Sequence, residues 1–311
     1  MTKMISIIIC TYNRASMLHR LLHSLAGQTL AADDFEVIVV DDGSTDSTAD
    51  VCNAAVKDMP NLRYIPTGKN RGLGSAANLG VKSAKGDCLI FTDDDCIPRQ
   101  DWAENMIQAL EKNPLVGGCV TSPTSNYIKL CHNIAEFHRF MPGRKAGVTD
   151  FIAGANMGFW RALYDEIQGF PTGHILSPDM QFILKAREKG YSICFVPNAV
   201  ITHDHDRTSL ANIFSYAEDH AAETILLRSR YRKLLKTPFV LLSPGLLLVT
   251  APVIAAKVTA EIYFCNTSNM KFMMTAPVVY ALKLAWCWGA VRGLKNSRKI
   301  RQSEIIHEEA N

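Results

Sequence analysis

The sequence predicts an α/β chain, with an open, mostly parallel, Rossmann-like sheet in its first two hundred residues and a helical, apolar tail after it. Three observations predict this. Short runs rich in Ile and Val alternate with stretches of helical periodicity. Aspartates follow two of those runs directly, Asp41-Asp42 after residues 37–40 and Asp93-Asp94-Asp95 after residues 88–92. Residues 237–256 contain no charge at all.

The elements follow in order. Residues 5–10 read as a strand and 16–26 as its helix, and the pattern repeats as 35–40 with 48–56, 62–65 with 75–83, and 87–92 with 102–111. Such alternation is met by parallel strands joined through right-handed crossovers. Next come a strand at 117–122, a polar loop region, a strand within 153–160, a helix at 177–189, and strands at 192–196 and 199–203, closing one domain over 1–205. Leu210, Ile213, Phe214, Ala217, Ala221 and Ile225 then recur at helical spacing, so 206–236 reads as an amphipathic and basic linker helix.

Residues 237–291 read as hydrophobic helices. The twenty residues 237–256 would make a helix about 30 Å long, roughly the hydrocarbon thickness of a bilayer. A second stretch, 272–291, carries Lys283, which in a membrane must snorkel, pair or sit at the interface. Pro244, Pro252 and Pro277 mark kinks or breaks. Arg228, Arg230, Arg232, Lys233 and Lys236 precede this region, and Arg292, Lys295, Arg298, Lys299 and Arg301 follow it in a basic and polar tail over 292–311. By the positive-inside tendency both flanks face the cytoplasm, at the cytoplasmic face of the cell membrane with lipids as partners. A membrane hairpin, an in-plane association and a buried helix pair or oligomer interface all fit this pattern.

Composition bounds the rest. With 311 residues, 48% of them hydrophobic and 20% charged, the chain can bury a full core. A formal charge of +3 is too small to imply a nucleic-acid partner. Nine cysteines, without a Cys-x-x-Cys pair, fit neither a disulfide framework nor a zinc knuckle and read as reduced thiols. The apolar start meets Thr11-Tyr12-Asn13-Arg14 too early for a signal peptide and is expected to be the first strand.

Chemistry is expected at the strand ends. Strands deliver their last side chains to the sheet's carboxyl edge, where open α/β sheets bind ligands. Clustered carboxylates such as Asp93, Asp94 and Asp95 repel one another there unless a cation neutralises them, which asks for a divalent metal, Mn²⁺ or Mg²⁺. Asp41 and Asp42 precede a glycine turn and a helix start, where one could hydrogen-bond a ribose or base edge, while Ser44 or Asp46 caps the helix. Residues 69–78, with Asn70, Arg71, Gly72 and Asn78, form a basic turn into a helix suited to a phosphate or sugar. Gly72-x-Gly74-x-x-Ala77 with Asp93 downstream imitates a dinucleotide fingerprint, yet five residues separate it from the preceding strand where that fingerprint wants a tight turn. Asp179 stands at a helix start, either as cap or as a general base kept ionised by the helix end. His203, ending a strand, is either structural or a ligand through its imidazole.

Taken in order, residues 6–14, the Asp41-Asp42-Gly43-Ser44 turn, Asn70-Arg71-Gly72, Asp93-Asp94-Asp95, Gly154-Ala155-Asn156 and Asp179 resemble family 2 glycosyltransferases of the GT-A fold. The resemblance spans roughly residues 4–205. It implies a GT-A nucleotide-diphospho-sugar transferase domain and inverting transfer of a sugar from a nucleotide-diphosphate sugar, a UDP-sugar being favoured, to a saccharide or lipid-linked acceptor. It implies Asp41 on the nucleoside, Thr11, Asn13 and Arg14 near the nucleotide, Asp93 and Asp95 at the metal and diphosphate, Asn156 toward the acceptor, and Asp179 as base. Many members carry Glu-Asp where this chain has Pro178-Asp179, and the Gln-x-x-Arg-Trp of processive synthases is absent from the sequence. Transfer of one sugar, not polymerisation, is therefore expected.

Overall fold

A computed structural model describes residues 4–173 and 177–309, with Thr267 and 298–309 described by backbone alone, so the side chains of Arg298, Lys299 and Arg301 lie outside the described residues. The chain runs through β1 (Ile5–Thr11), α1 (Ala15–Ala26), β2 (Phe35–Asp41), α2 (Thr48–Ala55), β3 (Leu62–Pro66), α3 (Leu73–Ser83), β4 (Cys88–Thr92), β5 (Cys96–Pro98), α4 (Trp102–Leu110) and β6 (Leu115–Thr121). It continues through α5 (Tyr127–Phe137), β7 (Gly147–Thr149), β8 (Asn156–Trp160), α6 (Arg161–Glu166), α7 (Pro178–Glu188), β9 (Ile193–His203) and α8 (Leu210–Arg230), and ends with α9 (Phe239–Leu242), α10 (Pro244–Phe264) and α11 (Ala276–Glu309). A 3₁₀ segment, Thr267–Thr275, joins the last two helices.

Two compact units result, one from Met1–Pro123 with Arg139–Asp206, the other from Thr124–His138 with Arg207–Asn311. The first holds a sheet that is nine-stranded among the described residues, in the order β3-β2-β1-β4-β8-β6-β9-β5 with β7 beside β9. β3, β2, β1 and β4 run parallel, and β8 enters antiparallel between β4 and β6. β1, β2 and β4 read as nearly continuous apolar runs, interrupted near their starts by Ser6 in β1 and Glu36 in β2, because they are buried on both faces. Ile8, Ile38, Val40, Leu89 and Phe91 pack against α3 and α7 residues such as Ala76, Val81, Phe182 and Ile183.

The two expected strands 192–196 and 199–203 are one, β9, whose register with β6 slips between Gly118 and Cys119. Pro197, which has no amide to donate, falls at that slip. The polar loop expected after 122 contains α5, started by Asn126, whose side chain accepts from the Lys129 amide at 3.0 Å. Leu130, Cys131, Ile134 and Ala135 form its buried face.

In the second unit, α8 lies along α11 so closely that a Cβ on Gly289 would meet the Glu218 carbonyl at 2.1 Å, and one on Gly293 the Ala222 carbonyl at 2.3 Å. Ala221, Ile225, Leu247, Ala251, Cys287, Ala290, Val291 and Leu294 form the core between α8, α10 and α11. The helix expected at 237–256 is instead broken at Ser243, and α10 runs Pro244–Phe264, taking in Lys257 and Glu261. Ser243 precedes a proline and is extended, at φ −105° and ψ 109°, as a residue in that position prefers. Pro244 and Pro277 both fall in the first turns of helices, where a missing amide costs nothing.

Candidate active site

Register brings the expected residues to one sheet edge. Thr11 pairs with Asp41 across β1 and β2, and Ile8 pairs with Phe91 across β1 and β4. The carboxyl ends of the three neighbouring strands therefore present Thr11, Asp41-Asp42 and Asp93-Asp94-Asp95 together.

The three aspartates have different surroundings. Asp94 is buried; it accepts from the Thr11 hydroxyl at 2.8 Å and from Arg14 Nη1 at 3.0 Å. Asp95, also buried, accepts from the same Arg14 nitrogen at 3.3 Å and has His203 Nε2 at 3.3 Å from its other oxygen. Arg20 pairs with Asp204, whose amide donates to the Asp95 carbonyl at 2.7 Å, so the strand end after His203 is tied to the aspartate turn. Asp93 is exposed to solvent. Loss of hydration beside crowding protein atoms, then Asp95, Asp179 and Asp94, push its carboxyl well above the ordinary aspartate value. Burial also pushes Asp94 up, to about 6, against the pull of Arg14. More negative charge is gathered here than Arg14 neutralises.

Asp179 belongs to this charge group, since it raises Asp93. It is half-buried in the first turn of α7, a turn entered through Ser177 in the left-handed region and through Pro178. Its carboxylate lies against Gly154: a Cβ on that glycine would meet Asp179 Oδ2 at 2.0 Å. Only a residue without a side chain leaves that carboxylate where it is.

The other expected residues hold the loops around the cluster. Asp41 accepts from the Ser44 amide at 2.8 Å and the Tyr64 hydroxyl at 2.6 Å. Asp42 accepts from the amides of Arg71 at 2.9 Å and Gly72 at 2.8 Å. The dinucleotide fingerprint is thereby excluded, because amides at the glycine turn that would cradle a diphosphate are taken by a carboxylate. Asn70 Oδ1 accepts from Gly72 N at 3.1 Å, and the Arg71 side chain is exposed. Asn13, at φ 54°, accepts from the Thr45 amide at 2.7 Å and donates its own amide to Ser44 Oγ at 2.8 Å, linking the β1 and β2 loops.

Two asparagines spend their side chains on holding the fold, Asn156 from a position opposite Thr92 at the end of β4. Asn156 is fully buried; it accepts from Trp102 Nε1 at 2.8 Å and donates to the carbonyls of Cys119 and Ala199 at 3.0 Å each. With these bonds made it stitches β8, β6, β9 and α4 together. Asn78 accepts from Tyr164 OH at 2.8 Å and Phe170 N at 2.9 Å, and donates to Phe170 O at 2.9 Å, closing the loop after α6. Sequence reasoning missed Tyr64 and Trp102, partners of Asp41 and Asn156, and did not anticipate that Ser44 accepts from the Asn13 amide. Among the described residues no group of three or more His, Cys, Asp and Glu converges to hold a metal ion unaided.

An open, mostly parallel sheet whose central strand ends gather aspartates, with a further carboxylate on a facing helix, defines a nucleotide-sugar transferase architecture. The family model for glycosyl transferase family 2 matches residues 6–168, more than half of the chain, and the chain belongs to that family. Among its relatives, glycosyltransferase AglE of Haloferax volcanii is 26% identical over 64% of this chain, and the O-antigen chain rhamnosyltransferase RfbN of Salmonella typhimurium is 27% identical over 66%. These matches span 66% and 67% of the relatives' own lengths. The mannosyltransferase PcManGT of Pyrobaculum calidifontis, solved with GDP-Man and Mn²⁺, shares the fold at a TM-score of 0.67 and 21% identity, over 93% of this chain and 86% of that one. The sheet is thus a GT-A fold.

Proposed function

We propose that the protein moves one sugar from a nucleoside-diphosphate sugar to an acceptor hydroxyl with inversion at the anomeric carbon. The observation that carries this is the gathering of Asp93, Asp94 and Asp95 at the carboxyl edge of the sheet with Asp179 seated against Gly154, where loss of hydration, then Asp95 and Asp179, raise Asp93. Strongly perturbed carboxylates at a ligand edge are a signature of a working site.

Asp179 is the base in this reading. Its oxygen, seated against Gly154, takes the acceptor proton as that hydroxyl attacks from the face opposite the departing diphosphate. Arg14, held by Asp94 and Asp95, and the exposed Arg71 supply positive charge toward the phosphates. Thr11 and Asn13 shape the nucleotide side, and Asp41, fixed by Tyr64 and Ser44, keeps acceptor capacity on both oxygens for a nucleoside.

The donor chemistry fits a hard divalent cation. Mg²⁺-type sites use one or two carboxylates with substrate phosphates completing the shell, in keeping with the absence of a self-sufficient cluster among the described residues. Asp93 and Asp95 would hold Mn²⁺ or Mg²⁺, with His203 beside Asp95, and the ion would offset charge on the leaving diphosphate. RfbN's role in an O-antigen chain and two long apolar segments, α10 at Pro244–Phe264 and Ser268–Ser297 across the 3₁₀ segment and α11, support assembly of a cell-surface glycan or lipid-linked saccharide at the cytoplasmic face of a membrane.

A donor-hydrolysis screen over UDP-, GDP- and dTDP-sugars with Mn²⁺ tests the reading. Turnover of one donor, abolished by chelation and restored by the metal, is expected. Turnover undiminished by exhaustive chelation rules the metal out, and an NMR-determined product retaining the donor's anomeric configuration rules inversion out.

A further inference from the structure

We propose that the apolar tail lies in the plane of one leaflet of an anionic membrane, and that its helical hairpin does not cross the bilayer. This rests on the membrane reading above and decides its geometry.

The position of the hairpin tip carries the argument. If α10 and α11 crossed a membrane with both basic flanks on the cytoplasmic side, the 3₁₀ segment joining them would sit on the far side, about 30 Å away. Instead, the Tyr127 hydroxyl of α5 donates to the Met274 carbonyl in that segment at 2.9 Å. The chain on either side of α5 belongs to the sheet-bearing unit, through Pro123 and Arg139. Neither α5 nor the tip it binds can be on the other side.

The flanks of α11 agree. Lys283, the charge that a spanning α11 would leave in hydrocarbon, donates to the Ala135 carbonyl at 2.5 Å. Beside it, against the upward push of burial, His220 at 2.7 Å, Lys283 and His132 hold the Glu136 carboxyl well below the ordinary glutamate range. Farther along, Arg292 pairs with Asp219 and lies 3.6 Å from Glu218 on α8. Polar groups of α5 and α8 therefore sit against α11 at Lys283 and Arg292, where a spanning helix would meet lipid.

α10 has an apolar face that no described residue of its unit covers. Leu246, Val249, Val253 and Phe264 lie along one stripe, with Val249 79% and Val253 70% exposed, and the charges on that side, Lys257 and Glu261, pair with each other. From Leu246 to Phe264 the stripe is about 27 Å long. Charge selects its occupant: between Thr224 and Ser303 the sequence carries one acidic residue, Glu261, against thirteen lysines and arginines. An apolar stripe set in so basic a segment fits an anionic lipid surface, as an interfacial helix does.

The full-length protein tests this in two arms. In the first, Lys271→Cys in a Cys265→Ser background puts a thiol on the exposed tip, probed with a membrane-impermeant maleimide on spheroplasts and on inverted vesicles of a Gram-negative host. Labelling in inverted vesicles only, with release of the protein by alkaline carbonate, is expected. Labelling from the outside of spheroplasts overturns the in-plane geometry and leaves membrane binding standing. In the second, the Val249→Glu, Val253→Glu double variant is expected to co-sediment with phosphatidylglycerol-containing vesicles about tenfold less than the wild type, with unchanged thermal midpoint. Equal sedimentation removes the stripe as the contact. A wild type that ignores these vesicles at low salt sinks the membrane reading itself, and a dimer dissolved by the same double variant assigns the stripe to a second copy instead.

Discussion

The two ends of one sheet treat their carboxylates in opposite ways. At the amino end, Glu36 of β2 accepts from Ser6 Oγ at 2.7 Å, Lys85 N at 2.6 Å and Arg63 Nη1 at 2.8 Å. Burial pushes it up, but these bonds win and hold it below the ordinary glutamate value. At the carboxyl end, Asp93 and Asp94 lie above the ordinary aspartate value. Both ends are built from the same strands, so strand chemistry does not explain the contrast. A carboxylate whose partners are complete serves folding; Asp93, stripped of water and crowded by Asp95, Asp179 and Asp94, is short of a partner among the described residues.

The largest expected effect comes from Asp179. Asp179→Asn keeps the shape against Gly154 and removes both the proton acceptor and a charge that raises Asp93, so kcat for transfer should fall by about 10²–10⁴ while the thermal midpoint is no lower than the wild type's. Wild-type kcat in this variant would sink the base assignment. Next is Asp93→Asn, expected to cost about a hundredfold in kcat while stabilising the fold. The sign follows from the raised carboxyl: its charged form is disfavoured in the folded state, so the wild type gains stability as pH falls from neutral through that raised value. Asparagine imitates the neutral form, so the variant's thermal midpoint should exceed the wild type's at neutral pH and the gap should close on acidification. A variant less stable at neutral pH would show that Asp93 is a structural partner.

How much of this was legible in the sequence follows the same divide. Asp41-Asp42 and Asp93-Asp94-Asp95 could be placed because an apolar run and its terminal carboxylates are contiguous, and parallel register does the rest. Asp179 could be placed at a helix start, as cap or base, but only the order of motifs favoured the base, since its neighbour Gly154 lies 25 residues away and carries no side chain to advertise the contact. Asn156 and Asn78 read as ligand contacts because an amide side chain suits either task; their partners, Trp102 and Phe170, are 54 and 92 residues distant. α5 was hidden for a similar reason. Its face is completed by α8 and α11, which begin some eighty and a hundred and fifty residues later.

Gly154→Ala separates positioning from chemistry. The new methyl would meet Asp179 Oδ2 at 2.0 Å and displace the carboxylate without altering its charge, so kcat should fall about tenfold to a hundredfold while donor binding, read by calorimetry with the nucleotide diphosphate, stays within about twofold. Unchanged kcat would mean that α7 yields and that the seat against Gly154 does not matter.

The smallest effect on activity, and the sharpest test of the contrast, is Glu36→Gln. It leaves Arg63 Nη1, Lys85 N and Ser6 Oγ with a weaker acceptor in a buried site, at a cost of about 1–3 kcal/mol in stability and no change in kcat. Because the Glu36 carboxyl is depressed, its stabilisation is fully present above the unfolded value of about 4.3 and is lost as pH falls through the lower folded value. Urea unfolding across pH should therefore show the wild type's advantage over Glu36→Gln shrinking in acid below about pH 4.3, whereas Asp93→Asn loses its advantage over the wild type at higher pH, on approach to the raised Asp93 value. Two carboxylates of one sheet would then respond to acid with opposite signs, Glu36 giving up stability and Asp93 gaining it. Parallel responses would mean that the two ends do not differ in the way their partners indicate.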